Sequence, residues 1–262
     1  MLVFSAILPH SPLLIPSIGK ENIKKLQKTI EAIKILRQDF ESTRPDLVIV
    51  LTSHGDIYPE AFSINTLPEY KVNFGEFGDF QTNQVYKGDI GFINRFKEQV
   101  ESSMSLSLKS LTDIDYATAV PLIYLAENYK NFKIVPINYS FLSYEQHLKF
   151  GEALKEAIYR EDKRVAIIAS AELSHKLTPK APAGFSPNAK EFDKKIIQLL
   201  KQKKVESILN LDKAMVEDAA ECGLRSILIM LGVIKNMNYD FQVLNYESPF
   251  GIGHLVAEFK LK

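Results

Sequence analysis

Two short aliphatic runs constrain this chain more than any other feature. Leu47 to Leu51 reads Leu-Val-Ile-Val-Leu, and Arg164 to Ser170 carries Val-Ala-Ile-Ile-Ala between its ends. Neither run alternates apolar with polar residues, so neither suits a strand with one face in water. Each predicts a strand buried on both faces, as at the centre of a parallel sheet covered by helices. The flanking patterns agree. Leu2 to Leu8 predicts a strand that ends in the Pro/Gly punctuation from Pro9 to Gly19. Ile23, Leu26, Ile30, Ile33, Leu36 and Phe40 recur at helical spacing among Lys, Gln and Glu, which predicts an amphipathic helix from about residue 20 to 42, stopped by Pro45-Asp46. Further along, Lys133 to Asn138 reads as a strand and Tyr144 to Tyr159 as a helix. Glu191 to Leu200 and Leu224 to Ile234 read as helices, with Phe241 to Leu244 and Leu255 to Leu261 as closing strands. The alternation predicts an α/β fold, a single domain over residues 1–262 with a mostly parallel central sheet flanked by helices on both faces. Tyr58 to Ser110 differs. Phe74, Phe77 and Phe80 interleave with Gly75 and Gly78, which predicts a turn-rich insertion that either roofs a cleft or fills a small core of its own.

Composition narrows the partners. The 262 residues carry 32 Lys+Arg against 32 Asp+Glu, a formal net charge of zero, which supplies no long-range field for nucleic acid or anionic lipid. Met1 to Pro9 is apolar without a basic segment before it and reads as a buried strand rather than a signal peptide. The longest apolar stretch, Leu224 to Ile234, is interrupted by Arg225 and Ser226 and falls short of the roughly 20 residues that cross a bilayer, so no membrane segment is expected. Cys222 is the one cysteine. It rules out an intramolecular disulfide and fits a reducing, cytoplasmic setting.

In open α/β sheets, ligands bind beyond the carboxyl ends of the strands. Three of the five histidines follow predicted strands closely: His10 after Leu2 to Leu8, His54 after Leu47 to Leu51, and His175 after Arg164 to Ser170. Two neutral imidazoles and a carboxylate on one face leave open positions on a divalent metal, which suits Fe(II) with oxygen or a zinc-bound water. A carboxylate is required because imidazoles add no charge to offset the dication. Glu221, Glu247 and Glu172 are the candidates, and for each an ordinary helix-start or turn carboxylate is the equally weighted reading. Cys222 is an alternative thiolate ligand that would favour zinc or a softer iron site. Glu221 and Cys222 are adjacent, so at most one should reach the metal. His175, left unligated, can shuttle a substrate proton near neutral pH. His147 lies in an amphipathic helical pattern and is expected at the surface or boundary. His254, near the start of the last strand, is expected to be structural, with the cleft open as an alternative.

Five segments in order resemble the LigB superfamily, the class III extradiol ring-cleavage dioxygenases. They are Ile7-Leu8-Pro9-His10-Ser11-Pro12-Leu13-Leu14-Ile15-Pro16, Thr52-Ser53-His54-Gly55, Glu172-Leu173-Ser174-His175, Glu221-Cys222-Gly223-Leu224-Arg225 and Tyr246-Glu247-Ser248-Pro249-Phe250-Gly251. The chain most resembles the LigB-like domain of the AmmeMemoRadiSam system, with the Memo proteins as more distant relatives. The resemblance implies Fe(II) on His10 and His54, His175 as acid/base, and a third ligand from Glu221, or from Cys222 if the Memo pattern holds. It also implies a catechol-like small-molecule substrate, a radical SAM enzyme as pathway partner and a homo-oligomer. Where many relatives have Asp-His-Gly before a Val-Pro-Leu run, this chain has Asp115-Tyr116-Ala117-Thr118-Ala119-Val120-Pro121-Leu122, so a phenol stands where a histidine would face substrate. A phenol can donate a hydrogen bond but cannot act as an imidazolium at neutral pH. A chain ending at Lys262 is expected to lack the second domain fused to some relatives. Three readings follow: an Fe(II) dioxygenase of phenolic substrates, a zinc hydrolase on the same residues, and a Memo-like binding protein without catalysis.

Overall fold

A computed structural model describes all of residues 1–262. The strands in chain order are β1 (Leu2–Leu8), β2 (Leu47–Thr52), β3 (Phe62–Asn65), β4 (Glu69–Val72), β5 (Val85–Gly88), β6 (Leu106–Lys109), β7 (Asp113–Ile114), β8 (Lys133–Asn138), β9 (Val165–Ser170), β10 (Tyr239–Glu247) and β11 (His254–Leu261). The helices are α1 (Pro16–Gly19), α2 (Gln27–Thr43), α3 (Ile90–Val100), α4 (Tyr116–Leu125), α5 (Tyr144–Tyr159), α6 (Pro187–Lys201), α7 (Val205–Leu209), α8 (Lys213–Ala219) and α9 (Leu224–Val233). All strands join one mixed sheet in the order β10-β11-β1-β9-β2-β8-β5-β4-β7, with β3 pairing β8 and β6. The centre, β1-β9-β2-β8, is parallel, and the expected fold class holds.

The two aliphatic runs are the central strands, and every residue of β2 and β9 is buried. Their side chains divide between two cores. Leu47, Ile49, Leu51, Ile167 and Ala169 pack with the residues of α5, α6 and α9 on one face. Val48, Val50, Ala166 and Ile168 pack with those of α2 and α4 on the other. This division is why both runs lack polar alternation. On the first face α5 and α9 meet backbone to backbone at Gly151 and Gly232: a Cβ on Gly151 would lie 2.0 Å from the Ile229 carbonyl oxygen. Glycine permits that approach.

The structure departs from the sequence reading in three places. The helix expected from residue 20 opens as a 3-10 turn over Lys20–Leu26, and the fully buried Leu26, at φ −108° and ψ 7°, separates it from α2. The insertion is more ordered than its turn residues suggest, since it contains β3 to β6 and α3. Its phenylalanines divide the two alternatives between them: Phe74 is fully buried, Phe77 packs on Tyr116 at 5.2 Å between ring centroids, and Phe80 is exposed. His147 is fully buried, not at the surface. Its Nδ1 lies 2.7 Å from the Ser143 carbonyl and its Nε2 accepts from the Ser140 amide at 3.4 Å, so the ring enters the core with both nitrogens satisfied. No helix is long and apolar enough to cross a membrane.

Candidate active site

Strand order assembles the site. β9 lies between β1 and β2, with Leu8 opposite Ser170 and Leu51 opposite Ala169. The loop after β9 therefore emerges between the loops that carry His10 and His54, bringing Glu172 and His175 with it. The amino end of β11, antiparallel to β1, adds His254 from the same side. Gly223 brings the start of α9 against this end of the sheet: a Cβ there would lie 2.5 Å from the Ala171 Cβ and 2.8 Å from the Glu172 carbonyl oxygen. That close approach delivers Cys222.

His10 is held in one tautomer by a chain of two hydrogen bonds. The Ser170 hydroxyl donates to the Ala117 carbonyl at 2.5 Å, so its oxygen is left to accept from His10 Nδ1 at 2.9 Å. His10 consequently turns a bare Nε2 lone pair to the site. That atom lies 3.2 Å from His54 Nε2 and 3.5 Å from Cys222 Sγ. Burial keeps His10 neutral, lowering it to about 3 in spite of Glu172 nearby, and burial lowers His54 as well. On the other side of Cys222, the Glu172 carboxylate is 3.2 Å from His175 Nε2, 3.3 Å from His254 Nε2 and 3.8 Å from His10 Nε2. Burial would raise Glu172, but His10, His175 and His254 outweigh it and hold the carboxyl well below its ordinary range. Burial would lower His175 in turn, but Cys222 and Glu172 outweigh it and push the ring up to about 10. His175 Nδ1 is 3.0 Å from the Leu173 carbonyl, which fixes the ring and points Nε2 at Glu172. Burial raises the Cys222 thiol, against the pull of His175.

The donor set fits a divalent cation. Two nitrogens bound to one ion at about 2.1 Å end up about 3.2 Å apart, and a sulfur bound at about 2.3 Å lies about 3.5 Å from such a nitrogen. Those are the separations from His10 Nε2 to His54 Nε2 and to Cys222 Sγ. His10, His54 and Cys222 form one cluster whose ligand atoms lie within 4.8 Å of one another, and Glu172, His175 and Cys222 form a second. His254 Nδ1 is buried without any partner, and the 3.3 Å approach of His254 Nε2 to Glu172 Oε1 is an ion-pair contact outside hydrogen-bond geometry, so the site carries polar capacity that the protein alone does not fully use.

The other candidates have separate places. The Glu221 carboxylate accepts from the Leu224 amide at 2.5 Å, capping α9, and belongs to neither ligand cluster. Glu247 accepts from the Thr29 amide at 2.9 Å and hydroxyl at 2.5 Å, which commits it to α2. The Tyr116 hydroxyl lies 3.0 Å from both His54 nitrogens, and its ring packs on those of His10 and His54. Asp115, a buried N-cap that accepts from Thr118 N at 3.0 Å and Thr52 Oγ1 at 2.6 Å, fixes Tyr116 to the end of β2. Behind His54, Asn138 donates to the His54 carbonyl and accepts from the buried Lys109 ammonium at 3.2 Å. These two and the partner of His10, Ser170, escaped the sequence reading. Ser170 and Asn138, as the last residues of the two parallel strands that flank β2, carried a signal in their position; Lys109 carried none. A polar cavity of about 270 Å³ opens beside them and contains no histidine.

A mixed α/β sheet whose carboxyl end gathers imidazoles, a thiol and a carboxylate offers a donor set that could hold a metal ion. Residues 5–257 match the family described as the catalytic LigB subunit of aromatic ring-opening dioxygenase, and the chain belongs to this LigB family. It is 28% identical over 262 residues to Protein CA_C1420 of Clostridium acetobutylicum, across 96% of this chain and 56% of that protein. It is 27% identical over 143 residues to 3,4-dihydroxyphenylacetate 2,3-dioxygenase of Escherichia coli, across 50% of each chain. It is 28% identical over 135 residues to the 2-aminophenol 1,6-dioxygenase beta subunit of a Pseudomonas species, across 46% of this chain and 44% of that subunit. The chain thus spans about half the length of the curated relatives it matches. Among solved structures, uncharacterized protein JW3007 of Escherichia coli K12 shares the fold with a TM-score of 0.68 at 14% identity, covering 98% of this chain and 99% of that one.

Proposed function

We propose that this protein is an extradiol-type dioxygenase of small catechol- or aminophenol-like compounds, with Fe(II) held by His10, His54 and Cys222. One observation carries the reading: two imidazole nitrogens and the Cys222 sulfur converge on one point at the spacing of ligands to a single ion. Family membership supports the dioxygenase chemistry. The E. coli and Pseudomonas relatives are named for a dihydroxy aromatic acid and an aminophenol, which supports an aromatic substrate with adjacent ionisable groups. Cys222 takes the third position in place of Glu221, because Glu221 is spent on the α9 amides. When bound, Fe(II) would supply the electron path between an ionised substrate and dioxygen.

The chain's own residues do the rest. Ser170 and Asn138 hold His10 and His54 in place, and Tyr116 remains a neutral donor because burial raises its phenol. His175 moves the proton. In the metal-free site Cys222 and Glu172 keep it charged. With the Cys222 sulfur engaged as a ligand, His175 would lose the first of these two holds and would face added positive charge, so Nε2 would release its proton more readily and serve as a base for a substrate hydroxyl. Glu172 then orients the ring rather than reacting. A free thiol as ligand suits a reducing compartment, which supports a cytoplasmic setting as part of this reading. The radical SAM enzyme, self-association and a separately encoded subunit belong to the same proposal, the last supported by the Pseudomonas relative being a beta subunit by name.

The test is elemental analysis of protein purified anaerobically without chelator or metal-affinity tag, beside oxygen uptake with a panel of catechols and aminophenols. Near-stoichiometric iron that His10→Ala and His54→Ala both lose, together with oxygen uptake on one member of the panel, is the expected result. Iron-loaded protein that consumes no oxygen with any of them would overturn it. The softness of Cys222 favours a second reading, a zinc-bound water used for hydrolysis. Stoichiometric zinc that Fe(II) does not displace would select it.

A further inference from the structure

A second cleft, of about 430 Å³, lies on the far side of the Glu221–Cys222 turn and contains none of the histidines. The start of α5, the length of α8 and the first turn of α9 wall it, with Leu142, Tyr144 and Val216 as apolar lining and Phe141 exposed at its edge. Arg225 points into this lining. Its guanidinium carbon lies 5.3 Å from the Tyr144 ring centroid, 5.6 Å from Phe141 and 5.8 Å from Tyr139. The guanidinium makes no direct ion pair, and Glu221 acts on it only through space. Its Nε is buried without a hydrogen-bond partner, and the arginine ion pairs of this protein are made by Arg37 and Arg95 instead. The nearest acid in the cleft, Glu221, spends its carboxylate on the α9 amides, while Glu145, Glu217 and Lys213 stand exposed at the rim. A partly buried guanidinium without a direct ion pair is costly, and a fork set among three aromatic rings suits a planar, bidentate acceptor.

We propose that this cleft binds a small aromatic carboxylate, its acid group on Arg225 and its ring against Tyr144 and Phe141. The site is separate from the metal ligands, although it shares a wall with them through Glu221. The rings beside the guanidinium would lower the local dielectric, which strengthens an ion pair there, and would add ring contact. A phosphate monoester could also take the fork, but its phosphoryl group alone would leave the Tyr144 and Phe141 rings without a partner.

Benzoate titrated into the wild-type protein by calorimetry tests this, with benzamide as the neutral isostere. Benzoate is expected to bind with a Kd below about 10 mM, and benzamide at least tenfold more weakly. Arg225→Met should weaken benzoate at least tenfold, with Arg225→Lys in between because it keeps the charge and loses the fork. Cys222→Ser should bind as wild type does, because Cys222 faces the histidines. Equal affinity for benzoate and benzamide, wild-type affinity in Arg225→Met, or a loss in Cys222→Ser as large as in Arg225→Met would each overturn the proposal. The benzamide arm needs no variant and holds even if Arg225→Met fails to fold.

Discussion

The four central strands end differently at their two edges. At the amino ends, Lys163 sits before β9 and pairs with Asp89 at 2.6 Å and Glu161 at 3.0 Å, while Arg95 pairs with the same Glu161. The N-terminal ammonium donates to the Lys163 carbonyl at 2.6 Å. At the carboxyl ends, four imidazoles, a thiol and a single carboxylate face one another with no lysine or arginine among them. The first arrangement compensates its own charges and serves stability. The second leaves donors unused, and the burial around it keeps them so. Local rules of satisfaction are obeyed where the chain only has to fold and broken where it has something to bind.

Substitutions at the two ends should separate these roles. The largest effect is expected from Cys222→Ser, which should weaken metal binding by about 100-fold or more while Glu221→Gln keeps it near wild type; competition with a calibrated chelator reads both. Equal losses would return Glu221 to the ligand set. At the opposite end, Lys163→Met leaves the buried Asp89 and Glu161 short of a cation and should cost about 3 kcal/mol in urea unfolding with metal content unchanged. A metal loss there would show that the two ends are coupled.

A smaller effect concerns pH. His175 binds its proton more tightly folded than unfolded, so its contribution is complete below 6.5 and is lost as pH rises toward about 10. His10 has the opposite sign: lowered to about 3, it costs stability as pH falls below 6.5. Metal-free protein should therefore have its highest melting temperature near pH 6.5. Glu172→Gln should flatten the alkaline limb and leave the acid limb in place; a limb that does not change would remove Glu172 from the control of His175. The smallest effect is expected from Tyr116→Phe, which deletes one hydrogen bond to His54 and should weaken metal binding by only a few fold, about 1 kcal/mol.

Much of the scaffold was legible because it depends on local pattern. Lys133–Asn138 and Tyr144–Tyr159 match their strand and helix, and β2 and β9 follow from aliphatic runs that only a doubly covered strand tolerates. α3, α4 and the strands of the insertion were not legible. In α4 the residues Ala117 to Leu122 are buried on every side, so the segment has no amphipathic period to read. The histidine loops could be read as well, since a strand's end points to the ligand face whichever strands neighbour it.

The sequence by itself determined that His10, His54 and His175 follow strands of a parallel sheet, because burial on both faces and the direction of such strands are properties of single segments. Only the tertiary structure decided their company. His254 joins from the amino end of a strand antiparallel to β1, a pairing across more than two hundred residues that no local signal carries. The orientations of Glu221 and Cys222 were settled by Gly223 pressing the first turn of α9 onto β9, which gives the carboxylate to the helix amides and the sulfur to the histidines. Adjacent residues cannot share a face, and which of them faces inward depends on how the helix packs, a property of the assembled sheet and not of the chain read alone.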